Sequence, residues 1–436
     1  MRDTTSAGVL VVGAGPAGLA AANAVAETGR PVLVIDQGIR SGGQIWRHRV
    51  GDALPRVARM AIASATPPQV SIAHRASVID AESPTRLIVS FNGRITAVDA
   101  DAVVIATGAM ERLLPFPGWT LPGVTGVGGL QALVKSGLDL TGQRVVLSGS
   151  GPLTLAVAAV LVKAGAELAI IAEQAAASTV RRFALRALLD PRRLIQALSL
   201  RLASARVPYR TDSWVIRAEG HERVEQVVMR IGEREETMAC DWLGAATGLV
   251  PRTALASLLG CDLDGDAVRV GPRQETNVAG VFAAGECCGI KGERGALVEG
   301  IIAGMAAAGG ERIPRGLIRS RDGHRAFGTR LERAFTPRSE LAARVTDRTV
   351  ICRCEGVTCA EIDGSWTQRQ AKLWTRLGMG PCQGAVCGPA CTTLYGWESN
   401  AARPPLELPT ASGWAAAIAV SSPPTGAPPQ QSPPDA

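Results

Sequence analysis

Val9-Leu10-Val11-Val12-Gly13-Ala14-Gly15-Pro16-Ala17-Gly18 is the stretch that decides how this chain folds. Four apolar, mostly β-branched residues predict a buried strand, the glycines predict a tight turn, and the alanine-rich run from Leu19 to Glu27 predicts a helix. Gly13 to Gly18 fits G-x-G-x-x-G, and the next apolar strand, Pro31 to Asp36, ends in a carboxylate. Each residue type has a physical task in holding a dinucleotide. Gly13 permits the turn, Gly15 lets the backbone approach a pyrophosphate, and Gly18 allows the helix to sit close to the strand. Pro16 and Ala17 open a helix whose N-terminal N–H groups attract phosphate, while Asp36, followed by Gln37, is placed to accept hydrogen bonds from an adenosine ribose. Small-residue turns also arise from packing alone, and only the strand, helix and acidic strand end around this one separate the two readings.

The pattern returns further on. Arg144 to Leu147 reads as a strand, Gly149-Ser150-Gly151-Pro152-Leu153-Thr154 as a glycine turn, and Glu167 to Glu173 as a strand ending in a carboxylate. Thr154 stands where the third glycine belongs, so the fingerprint is weakened. If Gly149, Gly151 and Glu173 hold a nucleotide, Glu173 favours a free ribose diol and hence NAD over NADP. The alternatives are another adenine nucleotide, or a duplicate that has lost nicotinamide chemistry. Two strand–helix–strand units in one chain predict an α/β protein with two Rossmann-like dinucleotide-binding domains.

Size and charge agree with this and exclude other classes. The 436 residues leave room for two or three domains, and 46% hydrophobic against 19% charged residues is not a disordered composition. The net charge of +7 could suggest nucleic acid, but only four of the 46 cations are lysines and the arginines are scattered singly or in pairs, so no nucleic-acid face is expected. The apolar stretch from Gly8 to Ala22 is broken by glycines and proline, and no other run approaches the roughly 18 apolar residues of a membrane span. A cytoplasmic protein with reduced thiols is expected.

Six of the ten cysteines fall between Cys352 and Cys391. Cys352-Arg353-Cys354 and, after 27 intervening residues, Cys382-Gln383-Gly384-Ala385-Val386-Cys387 form two close pairs, C-x-C and C-x4-C. Four thiolates so spaced suit a [2Fe-2S] cluster, and the turn Gly378-Met379-Gly380-Pro381 offers backbone N–H groups to sulfur. A four-cysteine zinc site is the nearest competitor, although C-x-C fits it poorly, and four unrelated core cysteines is the plain reading. Cys359 and Cys391 read as small buried residues. Adjacent Cys287-Cys288 would form a strained disulfide, and no C-x-x-C occurs, so dithiol chemistry is not expected.

Three further segments look like flavin contacts of two-dinucleotide-domain flavoproteins: Gly42-Gly43-Gln44-Ile45-Trp46-Arg47, Ile105-Ala106-Thr107-Gly108-Ala109, and Gly280-Val281-Phe282-Ala283-Ala284-Gly285-Glu286. Gly43, Gln44, Thr107, Gly108, Gly285 and Glu286 would touch FAD, with Glu286 where that class usually has aspartate. Together with CRCEGVT and GMGPCQGAVCG, these segments resemble the α subunit of bacterial multi-subunit flavin dehydrogenases or oxidases of amino acids: opine oxidase, hydroxyproline or proline dehydrogenase, and hydrogen cyanide synthase. The resemblance covers about residues 7 to 398, and its C-terminal part is similar to bacterioferritin-associated-ferredoxin-like [2Fe-2S] domains. The interval between Cys354 and Cys382 is a few residues shorter than usual.

That resemblance implies an electron-transferring α subunit with FAD and a [2Fe-2S] cluster, working with an FAD-dependent amine-oxidase-like β subunit that oxidises the substrate. It leaves open a small ferredoxin-like [2Fe-2S] γ subunit, an FMN at a subunit interface, and a peripheral place at the inner membrane through the electron acceptor. No side chain stands out as a catalytic base, and the four histidines (His48, His74, His221, His324) are isolated. A stand-alone NADH-dependent reductase and a cluster-bearing binding module with a structural flavin are the alternatives. The expected organisation is a discontinuous FAD domain at 1–140 and 246–315, a second nucleotide-binding-like domain at 141–245, a connector at 316–347, a small cluster domain at 348–400 and a Pro-rich tail at 401–436, disordered from about 420. Nine of the last 36 residues are proline.

Overall fold

The structure, a computed structural model, describes residues 4–66, 68–187, 190–397 and 403–408. Its first unit is built on a seven-stranded sheet. β1 (Thr4–Val12) runs through the middle, α1 (Pro16–Ala26) returns across one face, and β2 (Val32–Asp36) pairs β1 in parallel with Val12 opposite Ile35. After α2 (Arg56–Ser64), β3 (Val70–His74) adds outside β2. The antiparallel strands β4 (Ala76–Ser83) and β5 (Arg86–Phe91) lead into β6 (Arg94–Ile105), which flanks β1 on its other side. Strand residues alternate between faces, so Val9 and Val11 enter a core with Leu19 and Val25 of α1, while Leu10 and Val12 enter another with Ile35, Val78 and Leu87. Burial on both sides explains why the second half of β1, Val9 to Val12, reads as an unbroken apolar run.

The chain leaves this unit through β7 (Ala109–Glu111). In the second unit follow β8 (Val124–Thr125), α3 (Val127–Lys135), β9 (Arg144–Gly149), α4 (Pro152–Lys163), β10 (Glu167–Glu173), α5 (Ala177–Ala187), α6 (Pro191–Ala203) and β11 (Tyr209–Arg210). An antiparallel sheet of β12 (Ser213–Glu219), β13 (Gln226–Ile231) and β14 (Arg234–Ala239) intervenes before β15 (Trp242–Ala245) completes a parallel sheet in the order β11-β10-β9-β15-β8. β16 (Leu249–Pro251) then returns antiparallel to β7. Because β8 pairs β15, the chain has already joined the second sheet before residue 140, and the crossing lies at the β7/β16 pair.

Back in the first unit, α7 (Ala254–Leu258) and a small hairpin, β17 (Leu263–Asp264) and β18 (Ala267–Val268), precede β19 (Val281–Ala283). β19 pairs the C-terminal end of β6, leaving the N-terminal end of that strand to β5. α8 (Glu293–Ala307) then packs on α1 at very close range: a Cβ on Gly300 or Gly304 would collide with the carbonyls of Ala17 and Ala21.

The stretch read as a connector is largely helical, α9 (Arg315–Ala334) and α10 (Ser339–Ala343). Its inward face mixes a few apolar residues, among them Leu317 and Leu331, with arginines that hold it to the body. Arg321 bonds Pro272 O, and Arg325 reaches Gln274 Oε1 (2.7 Å) and Glu299 Oε1 (3.0 Å). β20 (Val350–Cys352), β21 (Val357–Thr358), α11 (Gln368–Thr375) and α12 (Cys387–Tyr395) make a small unit around Ile351, Val357, Leu377 and Cys391. Of the expected tail, residues 403–408 lie against the first unit: the N–H of Leu406 donates to Ile79 O (2.8 Å) and Glu407 bonds Gln37. The end of the chain, including the part expected to be disordered, is outside the described residues. No helix among the described residues is long and apolar enough to cross a membrane.

Candidate functional site

The first glycine loop, Gly13 to Gly18, joins the C-terminal end of β1 to α1, where ligands bind in parallel sheets. A Cβ on Gly13, at φ +112°, would strike Ala106 O, and one on Gly18 would strike Gly13 O, so both glycines serve close backbone approach. Gly15 differs. Its missing Cβ faces open space, with Gly43 Cα at 3.9 Å the nearest atom, and Gly43 at φ +59° closes the other side. A cradle lined by two glycines is what a pyrophosphate needs. Asp36 already braces it, accepting from the N–H of Ala14 (2.6 Å) on Oδ2 and of Gly38 (2.6 Å) on Oδ1, and each oxygen keeps a lone pair for a ribose hydroxyl.

The other expected contacts gather at the same strand ends. Thr107 and Gly108 follow β6, with Thr107 Oγ1 donating to Arg252 O (2.6 Å). Gln44 follows Gly43 and accepts from Arg47 Nε (3.2 Å), and the buried Trp46 donates to Glu293 (3.1 Å). Gly285 and Glu286 follow β19, and burial pushes the Glu286 carboxyl up, against the Gly292 N–H and the Lys291 charge. Gln37 is the outlying member, bonded to Glu407 and 3.5 Å from Arg252 Nη1.

Beneath this site lies a charged group that the motifs do not announce. Glu299, on α8 and with no exposed surface, accepts from Gly285 N (3.0 Å) and Lys291 Nζ (3.0 Å) on one oxygen and from Arg325 Nε (3.0 Å) on the other. Lys291 also donates to Gly285 O (3.2 Å), so the flavin-type turn is clamped at both its N–H and its carbonyl. A lone carboxylate within Gly295-Ala296-Leu297-Val298-Glu299-Gly300-Ile301-Ile302 was the available signal, since a charge in an apolar helix is retained only when paired.

The second loop is built alike and ends differently. Glu173, 1% exposed, holds the N–H of Gly151 (2.6 Å) and of Ala175 (2.8 Å), and burial pushes its carboxyl up to about 7. Thr154 is accommodated by its hydroxyl, which fills the place of a Cβ on Gly149. Gly151, the counterpart of Gly15, does not face open space: the Phe335 ring lies 3.3 Å from where its Cβ would be. Ser150 Oγ donates to Phe335 O (3.0 Å), and Gln174 donates to Thr336 O (3.2 Å) and accepts from Arg338 N (3.2 Å).

In the small C-terminal unit the four cysteines pair across the loops, not along the sequence. Cys354 Sγ lies 3.7 Å from Cys382 Sγ, and Cys387 faces Cys352. Gly380 is required here, since its Cβ would collide with that of Cys354. Burial opposes ionisation of Cys382, yet the N–H groups of Val386, Gly384 and Ala385 leave its thiol below the ordinary value; burial pushes Cys387 up. Among the described residues no three His, Cys, Asp or Glu side chains are gathered closely enough to hold a metal ion. The donor set, four free thiols in a glycine-lined loop with N–H groups aimed at sulfur, fits an iron–sulfur group in kind. Cys391 is fully buried, Cys359 lies 3.6 Å from Tyr395 Oη, and Cys287 and Cys288, 3.8 Å apart, remain thiols.

Two dinucleotide-type units joined by a crossing strand pair, with one open glycine cradle and a flavin-type turn, define an FAD-binding oxidoreductase of the two-domain class. The chain belongs to the pyridine nucleotide-disulphide oxidoreductase family, which matches residues 7–309 and implies FAD binding. Over a longer span it is 36% identical to an opine oxidase subunit of Rhizobium meliloti (strain 1021), covering 88% of this chain and 91% of the relative. It is 30% identical to hydrogen cyanide synthase subunit HcnB of Pseudomonas aeruginosa, again covering 88% and 91%. In fold it is similar to L-proline dehydrogenase from P. horikoshii, with a TM-score of 0.67 at 18% identity over 93% of this chain and 78% of that one.

Proposed function

We propose that this chain is the electron-transferring subunit of a flavin-dependent amino-acid, opine or hydroxyproline dehydrogenase or oxidase complex. The observation that carries the reading is the direct packing of the four-cysteine unit on the flavoprotein body. Trp119 Nε1 donates to Val350 O (2.6 Å), next to the first cysteine pair, and Arg344 donates to Val215 O (2.6 Å) and Leu114 O (3.0 Å). Leu341 and Ala390 share a core with Leu114 and Trp214. The four thiols are thereby held in place within the chain that carries the open glycine cradle. When bound, FAD supplies two-electron chemistry and a [2Fe-2S] cluster supplies one-electron chemistry.

On this reading Gly15, Gly43 and the N-terminus of α1 hold the FAD pyrophosphate, and Asp36 the ribose. Thr107, Gly108, Gly285 and Glu286 line the flavin end, and Cys352, Cys354, Cys382 and Cys387 hold the cluster. The substrate is oxidised in a partner, an FAD-dependent amine-oxidase-like protein, and the reading leaves open a small ferredoxin-like [2Fe-2S] subunit. Both the opine oxidase relative and HcnB are named as subunits, which supports an assembly of this kind. A cytoplasmic location follows from the reduced cysteines that the cluster needs.

The test is anaerobic purification with measurement of flavin, iron and labile sulfide. The reading expects FAD, iron and sulfide together, and no turnover of octopine, nopaline, proline or hydroxyproline by the isolated chain. Steady turnover of any of these by the chain alone, or zinc in place of iron, would overturn it.

A further inference from the structure

The two glycine loops offer an internal comparison, since a glycine turn braced by a strand-end carboxylate joins strand to helix twice. At the first, the space beside Gly15 is open; at the second, the equivalent space beside Gly151 holds the Phe335 ring. We propose that the segment from Phe335 to Arg344 is a built-in occupant of the second dinucleotide site. The site excludes NAD and other adenine nucleotides and serves as the dock for the thiol-bearing unit.

Each group that a bound nucleotide would use is engaged by this segment or by the loop itself. Gly151 N–H, which would face the pyrophosphate, is bonded to Glu173 Oε2. Glu173, which would face the ribose, carries one backbone N–H on each oxygen as Asp36 does, but in a place only 1% exposed, closed to a ribose hydroxyl. Ser150 and Gln174, beside the loop, direct their polar atoms to the backbone of residues 335, 336 and 338. Further along, Arg338 pairs with Asp212 (2.8 Å) and lies over the Trp214 ring (5.0 Å), and Arg344 bonds two carbonyls of the second unit. These bonds fix the segment along its length. What remains beside Gly149 and Gln174 is a cavity of about 90 Å³, against the several hundred that a ligand of this size fills. The larger groove nearby runs along the outer side of the segment, past Asp212, Arg230 and Glu340, and touches no residue of the loop.

The occupancy has a functional consequence independent of the relay reading: hydride from NADH has no place from which to reach the flavin, so the flavin must receive its electrons elsewhere. The experiment is equilibrium dialysis of the full chain with NAD+, NADH and ADP, beside the Phe335→Ala/Arg338→Ala variant, with flavin content and melting temperature recorded for both. The wild type is expected to bind none of them at millimolar concentration, and the variant, its flavin retained, to bind at least about tenfold more tightly. Micromolar binding by the wild type, or bleaching of its flavin by NADH, overturns the proposal. So does a folded, flavin-loaded variant that binds no better than wild type. Should the variant fail to fold, amide hydrogen exchange on the wild type decides: residues 149–154 and 335–341 are expected to exchange identically with and without 5 mM NAD+, and added protection overturns the proposal. A failure here leaves the iron and sulfide content, on which the function rests, untouched.

Discussion

Glu299 carries the largest consequence of any single side chain. It has no exposed surface and binds two cations together with the Gly285 N–H, so removing it takes from Lys291, itself 4% exposed, its ion-pair partner. Breaking such a pair costs about 3–5 kcal/mol. Glu299→Ala is therefore expected to lower the melting temperature markedly and to release FAD, because the Gly285 turn loses its clamp; a thermal melt with a flavin-to-protein ratio checks it. Glu173 makes a pH-dependent contribution of known sign. Burial raises its carboxyl from 4.5 to about 7, so the folded state prefers the neutral form. Its contribution is fully present below about pH 4.5 and is lost as pH rises through about 7, a change of about 3 kcal/mol. Denaturant titrations at pH 5 and pH 8 are expected to show the wild type losing stability relative to Glu173→Gln, and a constant difference between the two proteins would refute it.

At the scale of elements, α1 and α8 touch through their backbones. Gly300 sits over the Ala17 carbonyl, so Gly300→Val must push α8 away from the helix that opens the flavin cradle. Overpacking of this kind costs about 1–3 kcal/mol or more, and the variant is expected to be isolated with less FAD than wild type at equal protein. The thiol unit offers a sharper discrimination. Cys352, Cys354, Cys382 and Cys387 meet in two pairs, whereas Cys391 is buried at the base of the unit and Cys359 sits beside Tyr395. Serine at any of the first four is expected to abolish iron and labile sulfide, while Cys359→Ser retains both; metal analysis and the visible spectrum decide. The sequence distinguished these sets by spacing alone. It did not indicate that the pairs form between loops, since that depends on the turn at Gly380 and on where the N-terminus of α12 is brought.

For the whole molecule, the contact between the thiol unit and the body is the property to test. Trp119→Phe removes the hydrogen bond to Val350 O and about 1 kcal/mol, and is expected to speed amide exchange in residues 350–358 while leaving the first sheet unchanged. Equal protection in both proteins would show that this bond does not hold the unit. The first glycine loop, its acidic brace and the flavin-type turn were legible in the sequence because they are local: strand, turn and carboxylate lie within a few dozen residues and each residue type has one physical use. α9 was not legible, because its few inward apolar residues are interrupted by Arg321 and Arg325, which reach a distant carbonyl and a buried glutamate.

Two glycine loops, the tasks of their glycines and four cysteines spaced to act together are all written in local stretches of sequence. The same stretches leave the fate of the second loop open, because Gly149 to Thr154 reads much the same whether a ligand or a protein side chain lies against it. Long-range packing settles it. Phe335 is 184 residues from Gly151, and no local pattern reports that its ring fills the space where the first loop, beside Gly15, is left open.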